Sequence, residues 1–378
     1  MANNKEIIPG RFRVAILGAG GIAETHAEVL RGIPGVEPVA ICDMQFSKAE
    51  SFRDKLGLPA AYPRLETMLA EARPDVVHLA VSPVAHAQTA LTCLEAGVHV
   101  FVEKPFCISS AECDRVARCA TRTGAKVGVN HNLVFHPAVN RAIHAVREGR
   151  LGGIEHATIA FNVPLPELPW GPYSHWLFQS SENVVFELGA HPLSVVHRLF
   201  GRVLEAQTLC SGEKILPSGV RFYSTWQISM RCERGTASLL LSLSAGFEDL
   251  WLHIQGEDGV FHADIRRNTS FLSEKSPALG PKDDLRDSRQ TARSIARDGV
   301  RHYKNYILAS LQRKVPYPLQ VASMDASIRA FYEALRSGAT PPMSVAEGSA
   351  VVHACELAVA PLIGMPEMPD CPEVLSNG

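Results

Sequence analysis

Up to about residue 130 the chain alternates short apolar runs with helical stretches. The first run, RVAIL (13–17), leads through the turn GAGGIA into the helical AETHAEVLRG. Further runs follow at PVAICD (38–43), DVVHLAVS (75–82), VHVFVEKP (98–105) and KVGVN (126–130), with helical patterns at 47–56, 84–96 and 109–123 between them. Strands that are apolar along their whole length are buried on both faces, and intervening amphipathic helices supply the cover. Gly97 and Gly124 stop two of those helices, as glycines placed just past a helix end do. A doubly wound, parallel α/β domain is the expected result.

The first turn carries more than topology. Gly18, Gly20, Gly21, Ile22 and Ala23 belong to a GxGxxA pattern that follows a strand and opens a helix. Gly18 permits the tight turn, Gly20 lets the backbone approach a pyrophosphate, and Ala23 lets the helix pack near the strand. Unpaired N–H groups at the helix start then face the anion. Asp43 lies 20 residues beyond Ala23, at the end of the second run. A carboxylate there accepts from both ribose hydroxyls and repels a 2′-phosphate, so NAD is expected over NADP. Lys48 nearby moderates that preference.

Ligands of such sheets bind beyond the carboxyl ends of the strands. Glu103-Lys104-Pro105 sits at that end of 98–105, and Pro105 restricts the backbone of Lys104, giving its ammonium a defined direction. A snorkelling lysine at a strand end is the bland alternative. Ser82, Pro83 and His86, in SPVAH, occupy the loop end of the preceding run and are expected, with Glu103, to line the cofactor pocket, a structural role for Pro83 and His86 being the alternative. Asn130 and His131 fall at the junction after 126–130, either as substrate contacts or as hinge packing.

Beyond a helix near 138–148 the pattern changes to longer alternating stretches: IEHATIAFNV, RFYSTWQISMRCE, GTASLLLSLSA, DLWLHIQGEDG and VFHADIRRN. Turns at Arg234-Gly235 and Asp258-Gly259 join them as hairpins. An α+β domain with a large, open, mostly antiparallel sheet is expected over 130–378, after a dinucleotide domain over 1–129. A helix spans 184–200, segment 274–290 reads as an exposed loop, and helices at 291–312, 323–336 and 344–359 close the chain. FELGAH, inside 184–200, sets Glu187 and His191 one turn apart on one helix face. Such a pair is most often an ordinary helix contact. Trp170, Tyr173, His175 and Trp176 in PWGPYSHW form either an aromatic sugar platform or a packed loop. His136 reads as a helix cap.

Composition narrows the function. Net charge is −2 over 378 residues and pI is near 6.7, so no basic field points to nucleic acid or membrane. The N-terminus shows no apolar leader core. The 9 cysteines form no CxxC and no zinc spacing, and the 15 histidines form no HExxH, so no metal is expected. Free thiols suit a reducing, cytoplasmic location.

GAGGIA, SPVAHAQTALTCLEAGVHVFVEKP and FELGAHPLSVVHRLFG together resemble the glucose-fructose oxidoreductase/inositol dehydrogenase/rhizopine-catabolism (Gfo/Idh/MocA) family, over essentially the whole chain. EKP is the most specific element and the glycine loop the least. The resemblance implies a Rossmann domain and a nicotinamide-dependent oxidoreductase acting on a secondary alcohol or ketone of a sugar, cyclitol or nucleotide sugar. It maps the family lysine to Lys104 and the helix motif Asp-x-Gly-x-His to Glu187, Gly189 and His191. Two departures stand out: Glu187 replaces the shorter acid, and Ser194 stands where the family often has Asp. His191 is then the expected base, with Lys104 on the same oxygen and Glu187 orienting one of them; the reverse assignment makes Lys104 the base. Lys104, Asn130, His131, Trp176, Glu187 and His191 are the expected substrate contacts. The resemblance also implies a homodimer or homotetramer through the second sheet. It leaves two other activities open, an NAD-dependent glycosidase and a non-catalytic NAD/sugar sensor.

Overall fold

The computed structural model describes residues 11–243, 246–276, 280–312 and 319–362. Its first layer is a six-stranded parallel sheet of β1 (Phe12–Leu17), β2 (Val36–Cys42), β3 (Ala60–Tyr62), β4 (Val76–Leu79), β5 (His99–Val102) and β6 (Val127–Val129), in the order β3-β2-β1-β4-β5-β6. All five pairings are parallel. The order reverses between β1 and β4, which opens a crevice at their carboxyl ends. Every residue of VVHL in β4 is buried, as a strand covered on both faces must be. The edge strand β3 and the helix Leu65–Ala72 stand where no element was expected. Three half-buried residues and an eight-residue helix are too short for periodicity to stand out.

The second layer has seven strands: β7 (Ile154–Asn162), β8 (Val203–Ile215), β9 (Arg221–Cys232), β10 (Gly235–Ser242), β11 (Asp249–Gly256), β12 (Gly259–Asp264) and β13 (Thr269–Glu274). Their order is β13-β12-β11-β7-β10-β9-β8. Only β10 and β7 run parallel; the other pairings are antiparallel. Alternate residues such as Trp226, Ile228, Leu239, Leu241, Leu252 and Ile254 point into the core, under the helices Ala190–Phe200 and Val345–Val359. Strand β8 went unforeseen because its apolar positions are diluted by Glu, Gln, Ser and Lys on an open face.

Two C-terminal features correct the sequence reading. The helix Pro281–Gln312 begins ten residues earlier than expected and takes in most of the supposed 274–290 loop; residues 277–279 lie outside the described residues. Its first turns are almost wholly polar, which imitates a loop, although Pro281 with Asp283 and Asp284 is a favourable helix start. The helix Leu319–Ser337 crosses back to the first sheet, where Ile328, Phe331 and Tyr332 pack with Val14, Ile16, Ile41 and Phe101. Gly128 makes room for it, since a Cβ there would lie 2.5 Å from the Phe331 ring. A division at 129/130 therefore separates the two sheets but not this helix. The stretch Val345–Leu362 has a mean hydropathy of 1.3, apolar enough by composition to cross a membrane. Its Val351, Val352, Cys355 and Ala358 are core residues of the fold.

Candidate active site

The glycine loop follows β1 at the crevice. Gly18 has φ +98°, and a Cβ there would lie 2.3 Å from the Ala80 carbonyl oxygen. Glycine is therefore required both by backbone conformation and by the closeness of β4. Gly20 and Gly21 are exposed, and a Cβ on either would meet only open space. That open space lies at the N-terminus of the helix Gly21–Arg31, whose Gly20 cap offers no side-chain acceptor. The first N–H groups are left for an anion. Asp43 accepts from the backbone N–H of Ala19 (2.9 Å) through Oδ2 and of Gln45 (2.8 Å) through Oδ1. Its carboxylate is thus locked at the end of β2 beside the phosphate loop. These residues fit a dinucleotide.

Across the crevice, Lys104 extends from the end of β5 to the second layer. Its Nζ donates to Glu187 Oε1 at 2.5 Å and to the Glu187 carbonyl at 2.9 Å. The Lys104 and Glu187 side chains are only 14% and 18% exposed, so the pair is shielded but still reachable. Glu187 lies in a π turn, Val185–Gly189, that runs directly into the helix Ala190–Phe200; such local widenings are frequent at functional sites. His191, one turn on, stacks on Phe161 with ring centroids 5.9 Å apart and planes at 21°. Burial, with Lys104 and His131 alongside, pushes its imidazole well below the ordinary value. A ring held neutral can accept a proton at neutral pH.

His191 forms one wall of a cavity of about 380 Å³. Phe161 and Leu250 of the second sheet line it, with Val163 and Ile265 just past their strands and Asn132, Leu188, Gln320 and Ser323. Asn132, one residue beyond the pair singled out from GVNHN, was missed. So were Gln320 and Ser323, which only the returning helix brings here.

Several expected contacts lie elsewhere. The Asn130 amide nitrogen donates to Glu103 Oε1 at 2.6 Å, its Oδ1 is buried without a partner, and the residue is 2% exposed. His131 is wholly buried, its pKa pushed down to about 3 by burial and then by His197 and Lys104. Both residues are buried and neither lines the cavity beside His191. Glu103 points inward as well, to His26 and Asn130. His86 is 1% exposed, its ring nitrogens near the carbonyls of Pro105 (2.7 Å) and Val81 (3.1 Å). Burial lowers its pKa, so a single N–H serves the shorter contact and ties the helix Pro83–Glu95 to the Lys104–Pro105 turn. Exposed Ser82 is left at the crevice edge beside buried Pro83. Trp176 is core, and Trp170 is 89% exposed. The Tyr173 hydroxyl donates to Leu168 O while its ring meets Phe178 edge-on. Tyr173 and Trp176 are thus packed inward, while Trp170 and His175 stay exposed. His136 caps its helix by accepting from the Ala138 N–H at 3.2 Å.

A glycine-rich phosphate turn, a fixed acid after β2 and a lysine reaching from the first layer to an acid–histidine helix in the second define a two-domain dinucleotide-binding protein. The chain belongs to the Gfo/Idh/MocA oxidoreductase family. Residues 12–131 match the family's NAD-binding Rossmann model and residues 139–262 its C-terminal domain, together more than half of the chain. D-apiose dehydrogenase of Paraburkholderia graminis is 27% identical over 193 residues, covering 51% of each chain. D-glucoside 3-dehydrogenase of Escherichia coli is 28% identical over 192 residues, 50% of this chain and 54% of that one. The alignment thus spans about half the length of these relatives. The WlbA dehydrogenase of Bordetella pertussis, solved with NADH and UDP-GlcNAcA, superposes with a TM-score of 0.73 at 17% identity, covering 93% of this chain and 95% of that one. That likeness is one of fold.

Proposed function

We propose that the protein transfers hydride between NAD(H) and a secondary alcohol or ketone of a sugar, cyclitol or nucleotide sugar. The observation that carries this is the Lys104–Glu187 pair, whose ammonium is felt by His191, the residue that lines a cavity of about 380 Å³. NAD, when bound, supplies the hydride acceptor. Neutral His191 takes the hydroxyl proton, and Lys104, held by Glu187, stabilises negative charge on the same oxygen. Glu187 aims Lys104 and offers its second oxygen to a neighbouring hydroxyl. The relatives' names, D-apiose dehydrogenase and D-glucoside 3-dehydrogenase, support the sugar class. Asp43 supports NAD over NADP, with NADP turning over more slowly. The test is NADH formation with a panel of D-apiose, myo-inositol, methyl glucosides and a nucleotide sugar. Cleavage of a glycoside without net NADH would replace this reading with an NAD-dependent hydrolase, and NAD binding without any turnover would replace it with a sensor.

A homo-oligomer forms, in this reading, through the second sheet. Its outer face carries Trp251, stacked on His262, together with His253 and Phe271, and exposed Leu209 lies on β8. A second copy covers such a face most simply by two-fold packing. Sedimentation is expected to give a dimer or tetramer at micromolar concentration; a monomer would refute it. The eight described cysteines are unpaired, which supports a reducing, cytoplasmic location.

A further inference from the structure

Glu103 is buried beside the catalytic lysine, and its partners form an unbroken chain through the first domain. His26 Nε2 lies 2.7 Å from Glu103 Oε1, and His26 Nδ1 lies 2.8 Å from His78 Nδ1. His78 Nε2 lies 2.9 Å from the Tyr332 hydroxyl. His26, His78 and Tyr332 are wholly buried. We propose that His26 is a positioning residue for hydride transfer: the chain Tyr332–His78–His26 holds Glu103 as a carboxylate, and Glu103 fixes Lys104. The inference rests on the oxidoreductase reading above.

With a single proton on the His26 ring, proton counting along the chain allows one direction. Burial keeps His78 neutral, its pKa well below the ordinary value, and keeps Tyr332 protonated. A carboxylate at Glu103 accepts from His26 Nε2–H, which leaves His26 Nδ1 bare. That nitrogen accepts from His78 Nδ1–H, and the bare His78 Nε2 accepts from the Tyr332 O–H. Each ring nitrogen is used once, and every donor is aimed towards Glu103, an arrangement in which hydrogen bonds reinforce one another. Burial opposes the Glu103 charge, but the hydrogen bonds from His26 and Asn130, with Lys104 nearby, hold its pKa below the ordinary carboxylate value. The second oxygen, Oε2, receives the Lys104 backbone N–H at 3.3 Å. Glu103 therefore sets the peptide from which the lysine side chain reaches Glu187. Its charge is also felt by His86, His131 and His191.

Removing the His26 donor should let Glu103 take a proton near neutral pH, and the site should loosen only when it does. The test compares His26→Leu, His26→Gln, Tyr332→Phe and Glu103→Gln with the wild-type protein. Carboxyl ¹³C shifts are followed by NMR in the NAD complex, with the Glu103 signal assigned by its loss in Glu103→Gln. Glu103 should protonate at least about two pH units higher in His26→Leu than in the wild type. With the fastest substrate of the panel, kcat of His26→Leu should fall about tenfold to a hundredfold near pH 6 and recover as pH rises, with KM for NAD unchanged. Glu103→Gln should show the same loss at every pH, and His26→Gln, which still offers an amide donor, should restore most of it. Tyr332→Phe, a deletion of one oxygen, should move the Glu103 titration upward by less. A pH-independent loss in His26→Leu, or an unmoved Glu103 titration in both His26→Leu and Tyr332→Phe, would overturn the proposal. Absence of turnover in the wild type would sink the oxidoreductase reading instead, while the NMR titration still decides whether the chain holds Glu103.

Discussion

His191→Asn should lower kcat by about two to four orders of magnitude, the usual worth of a positioned general base, while NAD binding measured by NADH fluorescence stays unchanged. Asparagine retains hydrogen-bonding shape but cannot take up the hydroxyl proton. Lys104 is poorly placed to substitute, because its ammonium is already paired with the Glu187 carboxylate at 2.5 Å and with its carbonyl at 2.9 Å. The pH profile gives a second reading of the same assignment. Burial and then Lys104 hold the His191 imidazole well below its ordinary pKa, so the base stays neutral through mildly acidic pH. The rate of alcohol oxidation should stay level from about pH 8 to pH 6 and drop only as pH falls through the lowered value. Near-normal turnover in His191→Asn would hand the role to Lys104.

The parts of this site legible in the sequence were those carried by local pattern. Gly18 to Ala23 announced a phosphate turn because a strand precedes it and a helix follows. Asp43 was placed by its distance along the chain, and Lys104 by its strand end. The remainder depended on contacts between distant segments. Nothing local pairs Lys104 with Glu187, 83 positions apart, although each was singled out alone, Lys104 by its strand end and Glu187 by its spacing from His191. Asn130 and His131 were polar residues at a promising junction, but they turn inward because Glu103 and the buried wall use them. Trp176 looked like a sugar platform, yet its large apolar surface is worth more in the core. The returning helix Leu319–Ser337 supplies Gln320 and Ser323 to one pocket and Tyr332 to a buried relay. No periodicity could reveal that crossing.

The longer acid at position 187 acquires a physical meaning in this setting. Its carboxylate meets the Lys104 ammonium at the far end of an extended lysine, and the backbone carbonyl of the same residue accepts a second bond. Two acceptors from one residue fix the ammonium more tightly than either alone. A shorter Asp would retain the carbonyl contact and draw the carboxylate back by about one methylene, enough to cost roughly a hundredfold in rate if orientation is what it supplies.

Acid should unfold the protein steeply, beginning well above the pH at which carboxylates titrate. His78, His131 and His136 are each buried, at 0%, 0% and 5% exposure. Burial lowers the pKa of all three, to about 3 for His131 and about 4 for His136. In the unfolded chain the same rings protonate near an ordinary pKa of about 6.5. Unfolding therefore takes up protons below that pH, and stability must fall as pH falls. Each group contributes up to about 1.4 kcal/mol per pH unit, so the three together approach about 4 kcal/mol per unit between roughly pH 6 and 4. Glu103, with its folded pKa near 2, adds a loss of the same sign once the unfolded carboxyl begins to protonate. Against a native stability in the lower part of the typical range, about 5–10 kcal/mol, such a slope exhausts the fold within about two to three pH units of neutrality. Thermal melts followed by circular dichroism should show Tm nearly constant from pH 8 to 7, falling through pH 6 and lost between about pH 5 and 4. Replacing His136 by Gln, which cannot titrate, should flatten that descent by about one group's share, although the lost cap lowers Tm at neutral pH. A Tm that held level from pH 7.5 to pH 5 would mean that these rings are not neutral in the native protein, and that the direction assigned to the chain through His78 is wrong.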